Sequence, residues 1–191
     1  VIHKNLSLMD FMDLIDIMQN EISDLCITPM NTAILCLLWE VDKDLPRTRT
    51  GLYRSIHLFI MKKAGERLGL TPEEIETEVL KPLYKLSFDA IQRGDVTLSE
   101  EDFKRVLCDP DLICRAGYLI KKVKIGLLGS LRYAFSHKTF LEYLAVHFIP
   151  LMTTEVRLSW FSGVDWALNE SLVMFLFGHL EGEPLCQLAS I

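Results

Sequence analysis

The sequence predicts a mostly α-helical protein with a winged-helix domain, which contains a small β-hairpin and is flanked by helical-bundle segments. Three observations lead to this prediction. Most apolar residues recur at intervals of three and four, as on one face of an α-helix. Two short runs, YLIKKVKI and SLRYAF, enclose GLLG and predict a hairpin with glycines in its turn. A helical run follows the second strand directly.

The first three helices are indicated by apolar stripes and by residues that start helices. Residues 11–25 place five apolar side chains on one face of a first helix. Thr28 is the predicted N-cap of a second helix, and Pro29 stands at its first position, where a missing N–H costs nothing. A third helix has its stripe over residues 52–64 and ends before Gly69.

The fourth helix has clear signals at its start and its end. Thr71 and Glu74 have the spacing of a capping box, in which each side chain binds the other residue's backbone N–H. Pro82 is expected to kink or divide this helix, because proline removes a backbone donor. Gly94 is expected to end it.

The order of elements from Leu52 to Ile149 predicts a winged helix: helices come first, followed by a short strand, two short helices, a hairpin and a further helix. A short strand over 96–98 and two brief helices, which start at Ser99 and Pro110, precede the hairpin. The helix after the hairpin has apolar residues at helical spacing over 140–148, and Ser136 is its predicted N-cap.

The predicted organisation has three parts. Residues 1–44 form the end of a first helical domain, residues 45–150 the winged-helix domain, and residues 151–191 the start of a second helical domain. Within the last part, TTEVRLSWFSG predicts a loop or a broken segment, and a final helical stripe covers residues 168–176.

Composition and motifs exclude several classes of function. A net charge of −6 argues against a protein that depends on nucleic-acid phosphates for affinity. The sequence contains no phosphate loop, no metalloprotease or serine-hydrolase motif and no zinc spacing, so the chain is predicted not to be an enzyme.

Its five histidines are far apart in sequence and are predicted to make no cluster. Five cysteines without a CxxC pair favour a reduced, cytoplasmic compartment, and no apolar run approaches the ~20 residues of a membrane span.

His137 is the strongest candidate for a binding residue. It lies near the first turn of a helix that a strand feeds directly, and the start of a helix favours an anion. A neutral imidazole that donates one N–H to a phosphate would fit there. From the residues alone, an ordinary helix-start histidine is the preferred interpretation. Pro29 is equally open: it could pack against a flat ring or simply start its helix.

A winged helix also raises the possibility of DNA binding. Lys121, Lys122 and Lys124 could form a basic wing, but a solvated hairpin face is the preferred interpretation. The helix before the wing carries Asp111 beside its basic Arg115, which does not suit a recognition helix. The alternative function is therefore a winged-helix module that binds protein or DNA without any nucleotide.

Three motifs together resemble the regulatory half of NACHT-type signalling ATPases, the nucleotide-binding core of NLR innate immune receptors. CITPMNTAILCLLWE is similar to a helical-domain helix of the family, and LPRTRTGLYRSI is similar to the entry into its winged helix. YAFSHKTFLEYLAVHFI resembles the family helix that begins F-x-H-x-x-F-Q-E, with Leu141 in place of the usual glutamine. The three motifs occur in the family's order and the resemblance covers most of the chain.

The resemblance implies a role for both open residues and reverses the preference for His137. In the closed family members, the histidine at the position of His137 contacts the β-phosphate of ADP, and the proline at the position of Pro29 packs near the adenine. The phosphate loop and the magnesium-binding segment would belong to an upstream nucleotide-binding domain. The implied function is to sense ADP or ATP and to gate opening and self-association with other copies, in immune or stress signalling.

Overall fold

Helices make up most of the structure, and a small three-stranded antiparallel sheet completes it. The computed structural model describes residues 29–41, 46, 48–123, 131–163 and 170–180 of the 191-residue chain. The predicted helix over 11–25, the N-cap Thr28 and the hairpin turn lie outside these residues. The mostly α-helical prediction is confirmed.

The elements in chain order have the following bounds: α1 Pro29–Val41, α2 Arg49–Leu68, α3 Pro72–Glu74, a π-helix Ile75–Leu80, α4 Lys81–Gln92, β1 Thr97–Ser99, α5 Glu100–Val106, α6 Pro110–Ala116, β2 Leu119–Val123, β3 Leu131–Phe135, α7 Lys138–Val146, a 3-10 helix Ile149–Leu151, α8 Thr154–Gly163 and α9 Glu170–Leu180.

The chain divides into two compact units, Val1–Phe59 and Ile60–Ile191, and the division falls within α2. In the first unit, α2 starts after Thr48, whose hydroxyl accepts a hydrogen bond from the Gly51 N–H at 3.1 Å. This N-cap starts the helix three residues before the predicted apolar stripe. The predicted domain boundaries at residues 44/45 and 150/151 stay predictions.

The fourth predicted helix begins, divides and ends where the sequence indicates. Thr71 and Glu74 form the capping box, with hydrogen bonds of 3.2 and 2.8 Å. The π-helix ends just before Pro82, and the Lys81 N–H donates to the carbonyl of Glu76 five residues back. The wider π turn accommodates the proline ring, which would clash with a carbonyl four residues back in a regular α-helix. Gly94 then ends α4 with a φ of +71°.

The sheet has the order β1–β3–β2, with both pairs antiparallel. The two hairpin strands are confirmed, and the predicted short strand is present one residue later, at Thr97–Ser99. Tyr133 lies at the centre, opposite Leu98 on β1 and Lys121 on β2. The β3 strand is therefore held on both edges, and it delivers the chain to α7 from a fixed position.

Helix α7 forms the centre of the second unit. It packs against α4 on one side and α9 on another, and all eight residues from Thr139 to Val146 are buried. The prediction of a loop or broken segment after Pro150 is wrong, because α8 is a helix there. Thr153 accepts a hydrogen bond from the Val156 N–H at 3.5 Å, and Trp160 packs on Phe88 of α4 with ring centroids 5.3 Å apart. These contacts stabilise a helix that has only a weak apolar stripe of its own.

A buried carboxylate joins α4, β1 and α5. Asp102 is 6% exposed, and its Oδ2 accepts hydrogen bonds from the backbone N–H and the hydroxyl of Ser99 at 2.8 and 2.9 Å. Its Oδ1 pairs with Arg93 at 3.0 Å and with Arg105 at 3.3 Å. Burial acts to raise the pKa of Asp102, but the Ser99 hydrogen bonds and the two guanidinium groups outweigh it, so the pKa is lowered.

We expect Asp102→Ala to lower the free energy of unfolding by about 1–3 kcal/mol. The change removes the carboxylate of the capping box at the start of α5, and it leaves buried hydrogen-bond donors without an acceptor. The lowered pKa fixes the sign of the acid effect: the contribution of Asp102 is complete above the ordinary Asp pKa of about 3.9 and disappears as the pH falls through its lower folded value. Urea unfolding at neutral and acid pH measures both effects. Glu66→Gln, on an exposed Lys63–Glu66 pair, is the control and should leave stability unchanged. Wild-type stability in Asp102→Ala would contradict the assignment.

Candidate functional site

The start of α7 brings together the residues with the clearest capacity for binding. The chain leaves β3 at Phe135, makes a two-residue bend and enters α7 at Lys138. Tyr133, Ala134 and Phe135 are buried, so the strand cannot shift without disturbing the core. This local order fixes the position of the bend residue His137.

His137, and not Ser136, is the N-cap of α7. Its backbone is extended, with φ −152° and ψ 151°, and its Nδ1 accepts a hydrogen bond from the Thr139 N–H at 3.3 Å. The predicted cap was one residue too early because serine is the more usual cap and the imidazole Nδ1 can take the place of a short side-chain oxygen. The hydroxyl of Thr139 also lies 2.5 Å from Nδ1.

The cap determines where His137 carries its proton. A backbone N–H can only donate, so Nδ1 accepts in this cap, and a neutral ring that accepts at Nδ1 carries its proton on Nε2. The ring is half-buried. The helix end adds a positive partial charge at the same place. The arrangement is suited to an anion.

Sequence reasoning missed the pair of residues beside this cap. The Lys138 ammonium lies 3.2 Å from Oε1 of Glu142, one helical turn away, and the lysine side chain is 63% exposed while that of the glutamate is 5% exposed. In the described part of the chain, Oε2 of Glu142 has no hydrogen-bond partner. The i, i+4 spacing of opposite charges was the available signal. Lys138 therefore compensates a buried carboxylate and is not wholly available to a ligand.

Pro29 is the exposed first residue of α1, as predicted. It belongs to the first compact unit and His137 to the second. Neither the contact of Pro29 with adenine nor that of His137 with phosphate is tested by these positions. Both contacts stay predictions.

The predicted basic wing is partly neutralised. The Lys121 ammonium lies 2.5 Å from the carboxylate of Asp111 on α6, and this hydrogen bond raises the pKa of Lys121. Lys122 is exposed, and Lys124 lies outside the described residues. On α6, the carbonyl of Arg115 accepts a hydrogen bond from Arg67 of α2. The face that DNA would meet thus carries an acid–base pair, which does not favour the DNA-binding alternative.

Two histidines that are distant in sequence are neighbours in the structure. The ring centroids of His147, at the C-cap of α7, and His179, in the last turn of α9, are 4.6 Å apart. The prediction that the histidines make no cluster is wrong for this pair. No local pattern could have indicated it, because the packing of α9 on α7 creates it.

Comparisons with known proteins add no assignment: no protein family matches the sequence, and no curated protein does. Over the residues that the structure describes, none of the helices combines the length and the apolar character needed to cross a membrane. The same residues contain no group of three or more histidine, cysteine, aspartate or glutamate side chains suited to a metal ion.

Substitutions at His137 separate its role as a cap from any role in binding. His137→Ala removes the side-chain acceptor, and we expect it to lower the free energy of unfolding by about 0.5–2 kcal/mol. His137→Asn supplies another acceptor at the position of Nδ1 and should restore most of that loss. Urea unfolding of the two variants measures the difference. Equal stability of the alanine variant and the wild-type chain would show that the imidazole does not cap α7.

Proposed function

We propose that this chain is the regulatory part of a NACHT-type signalling ATPase, in which His137 reports whether ADP is bound. The observation that carries the proposal is the cap of α7. A neutral ring that accepts the Thr139 N–H would carry its proton on Nε2, at a helix end that favours anions. Three motifs of the chain resemble the family. The third of them contains His137, which stands at the position of the family's phosphate-contacting histidine.

The proposed contact is a hydrogen bond from Nε2–H of His137 to the β-phosphate of ADP. A phosphate oxygen is a strong acceptor, and a charged acceptor strengthens the bond. Thr139 supports this role because its N–H holds Nδ1 and so keeps the proton on Nε2. His137 alone would bind weakly, and the phosphate loop of an upstream nucleotide-binding domain would supply most of the affinity.

The proposed mechanism is a nucleotide-dependent latch. ADP would bridge the nucleotide-binding domain and His137 and so hold a winged helix closed. Exchange for ATP, with Mg²⁺ in the whole protein, would remove that contact and favour an open form that assembles with other copies. A ligand can shift such an equilibrium only by the difference between its affinities for the two forms. The contact of His137 would supply part of that difference.

The order of elements supports the winged-helix part of the proposal. Strand β1 is followed by two short helices, α5 and α6, and then by the antiparallel pair β2 and β3. The wing would be the connection between β2 and β3. The contact of Pro29 with adenine, the cytoplasmic location and the role in immune or stress signalling belong to the same proposal and rest on the resemblance.

Titration of the 191-residue chain with ADP and with AMP tests the phosphate contact. We expect ADP to shift the backbone amide NMR signals of Lys138 and Thr139 with weak, about millimolar, affinity, and AMP to shift them several-fold less, because it lacks the β-phosphate. His137→Asn is the matched variant, because it keeps a cap acceptor but loses Nε2–H. The response to ADP should be lost in this variant.

Three results would overturn the contact: no response of α7 to ADP, equal responses to ADP and AMP, or an unchanged response in His137→Asn. Lys122→Gln is the charge control. It removes one exposed positive charge from β2, away from the start of α7, and should leave the response to ADP as it is in the wild-type chain.

A further inference from the structure

The far end of α7 holds a second arrangement of titratable groups, which the proposed latch does not use. His147 lies at the C-cap of α7, and its ring meets that of His179 on α9 at a centroid distance of 4.6 Å and an interplanar angle of 56°. Both rings are half-buried. The titrations of two imidazoles in direct contact are coupled, because the charge of one affects the protonation of the other.

Two tyrosine rings contact His147. Tyr84 of α4 stacks on it with centroids 5.0 Å apart and an angle of 22°, and Tyr143 meets it edge-on at 4.7 Å. The Nδ1 atom lies 3.0 Å from the carbonyl of Tyr143, so it is positioned to donate to that oxygen. Aromatic faces and the C-terminal end of a helix both stabilise a cation. One proton on the pair is therefore well accommodated.

The tyrosine that stacks on His147 stays uncharged. Burial and the neighbouring carboxylate of Glu76, 3.5 Å from the Tyr84 hydroxyl, raise the pKa of Tyr84, so it stays a neutral ring. Burial also raises the pKa of Tyr118, which stays neutral too. On the other side, the Lys85 ammonium lies 5.2 Å from the ring centroid of Phe148, next to His147, and is paired with Asp89 at 3.0 Å. Because the Asp89 carboxylate offsets the charge of Lys85, the direct contact between the two imidazole rings is what opposes a second proton.

We propose that the contact between His147 and His179 is a pH-sensitive connection between α7 and α9, which is stable with one proton and loosened by two. The second proton places like charges on two rings in direct contact and half-buried, where water screens them poorly. The proposal does not depend on nucleotide binding. It concerns α9, which lies in the region predicted to begin the second helical domain. The second proton would release α9 from α7.

The sign of the pH effect follows from proton uptake. In an unfolded chain both histidines take up protons near their ordinary pKa of about 6.5. In the folded pair the second proton is resisted, so below this pH the unfolded state binds more protons, and the stability of the contact falls as the pH falls. The folded pair favours the first proton. At higher pH, uptake of this proton therefore makes the contact more stable as the pH falls. The connection should therefore be tightest near the ordinary histidine pKa and weaken towards acid pH.

Amide hydrogen exchange of the whole chain tests this connection. We expect the protection of α9, corrected for the intrinsic pH dependence of exchange, to fall about tenfold between about pH 6.5 and pH 5, which corresponds to about one pKa unit of interaction between the rings. Helix α5 is the internal reference. Its Asp102 keeps its charge over this range because its pKa is lowered.

Two variants at His179 make the test decisive. His179→Phe keeps an aromatic ring but cannot be charged, and it should show no acid-dependent loss of protection in α9. His179→Lys carries a fixed charge in place of the first proton, so it should keep the protection of α9 at about pH 7 and lose it as His147 takes up a proton at lower pH. Constant protection of α9 in the wild-type chain, or the same acid-dependent loss in His179→Phe, would overturn the proposal.

Discussion

The complete burial of α7 is the constraint on which the second compact unit depends. Eight consecutive residues of this nine-residue helix are buried, and α4, α9 and β3 all pack against it. Because other elements pack against its sides, α7 can meet a ligand or the solvent only at its ends. Both ends of α7 carry a histidine, His137 as the N-cap and His147 as the C-cap.

The two ends of α7 have opposite chemical preferences. The first turn exposes N–H groups and favours an anion, whereas the last turn exposes carbonyl groups and favours a cation. His137 lies at the first of these ends, where its Nδ1 accepts the Thr139 N–H. His147 lies at the second, where its Nδ1 is positioned to donate to a carbonyl and two tyrosine rings contact it. The two proposals therefore assign a response to phosphate to one end of this short helix and a response to protons to the other.

The features that the sequence predicts well are those set by neighbouring residues. The capping box of Thr71, the helix end at Gly94 and the alternation of β3 each depend on a few adjacent positions, so their patterns are readable without the fold. The features that it misses depend on tertiary contacts. Trp160 on Phe88 stabilises α8, and the packing of α9 on α7 brings His179 to His147.

The position of the His137 cap is an intermediate case. The sequence places the helix start within one residue, but Ser136 and His137 can both act as caps. The choice between them depends on the backbone direction in which β3 delivers the chain. That direction is set by the pairing of β3 with β1 and β2 on either side, which no local pattern of residues encodes.

The most direct test of this account is the protonation of the His137 ring, measured through the ¹⁵N chemical shifts of its two nitrogens in the free chain at a pH where the ring is neutral. The account predicts an unprotonated Nδ1, with a coupling across its hydrogen bond to the Thr139 N–H, and a protonated Nε2. A proton on Nδ1 would contradict it, because such a ring could neither accept the Thr139 N–H nor present Nε2–H to a phosphate.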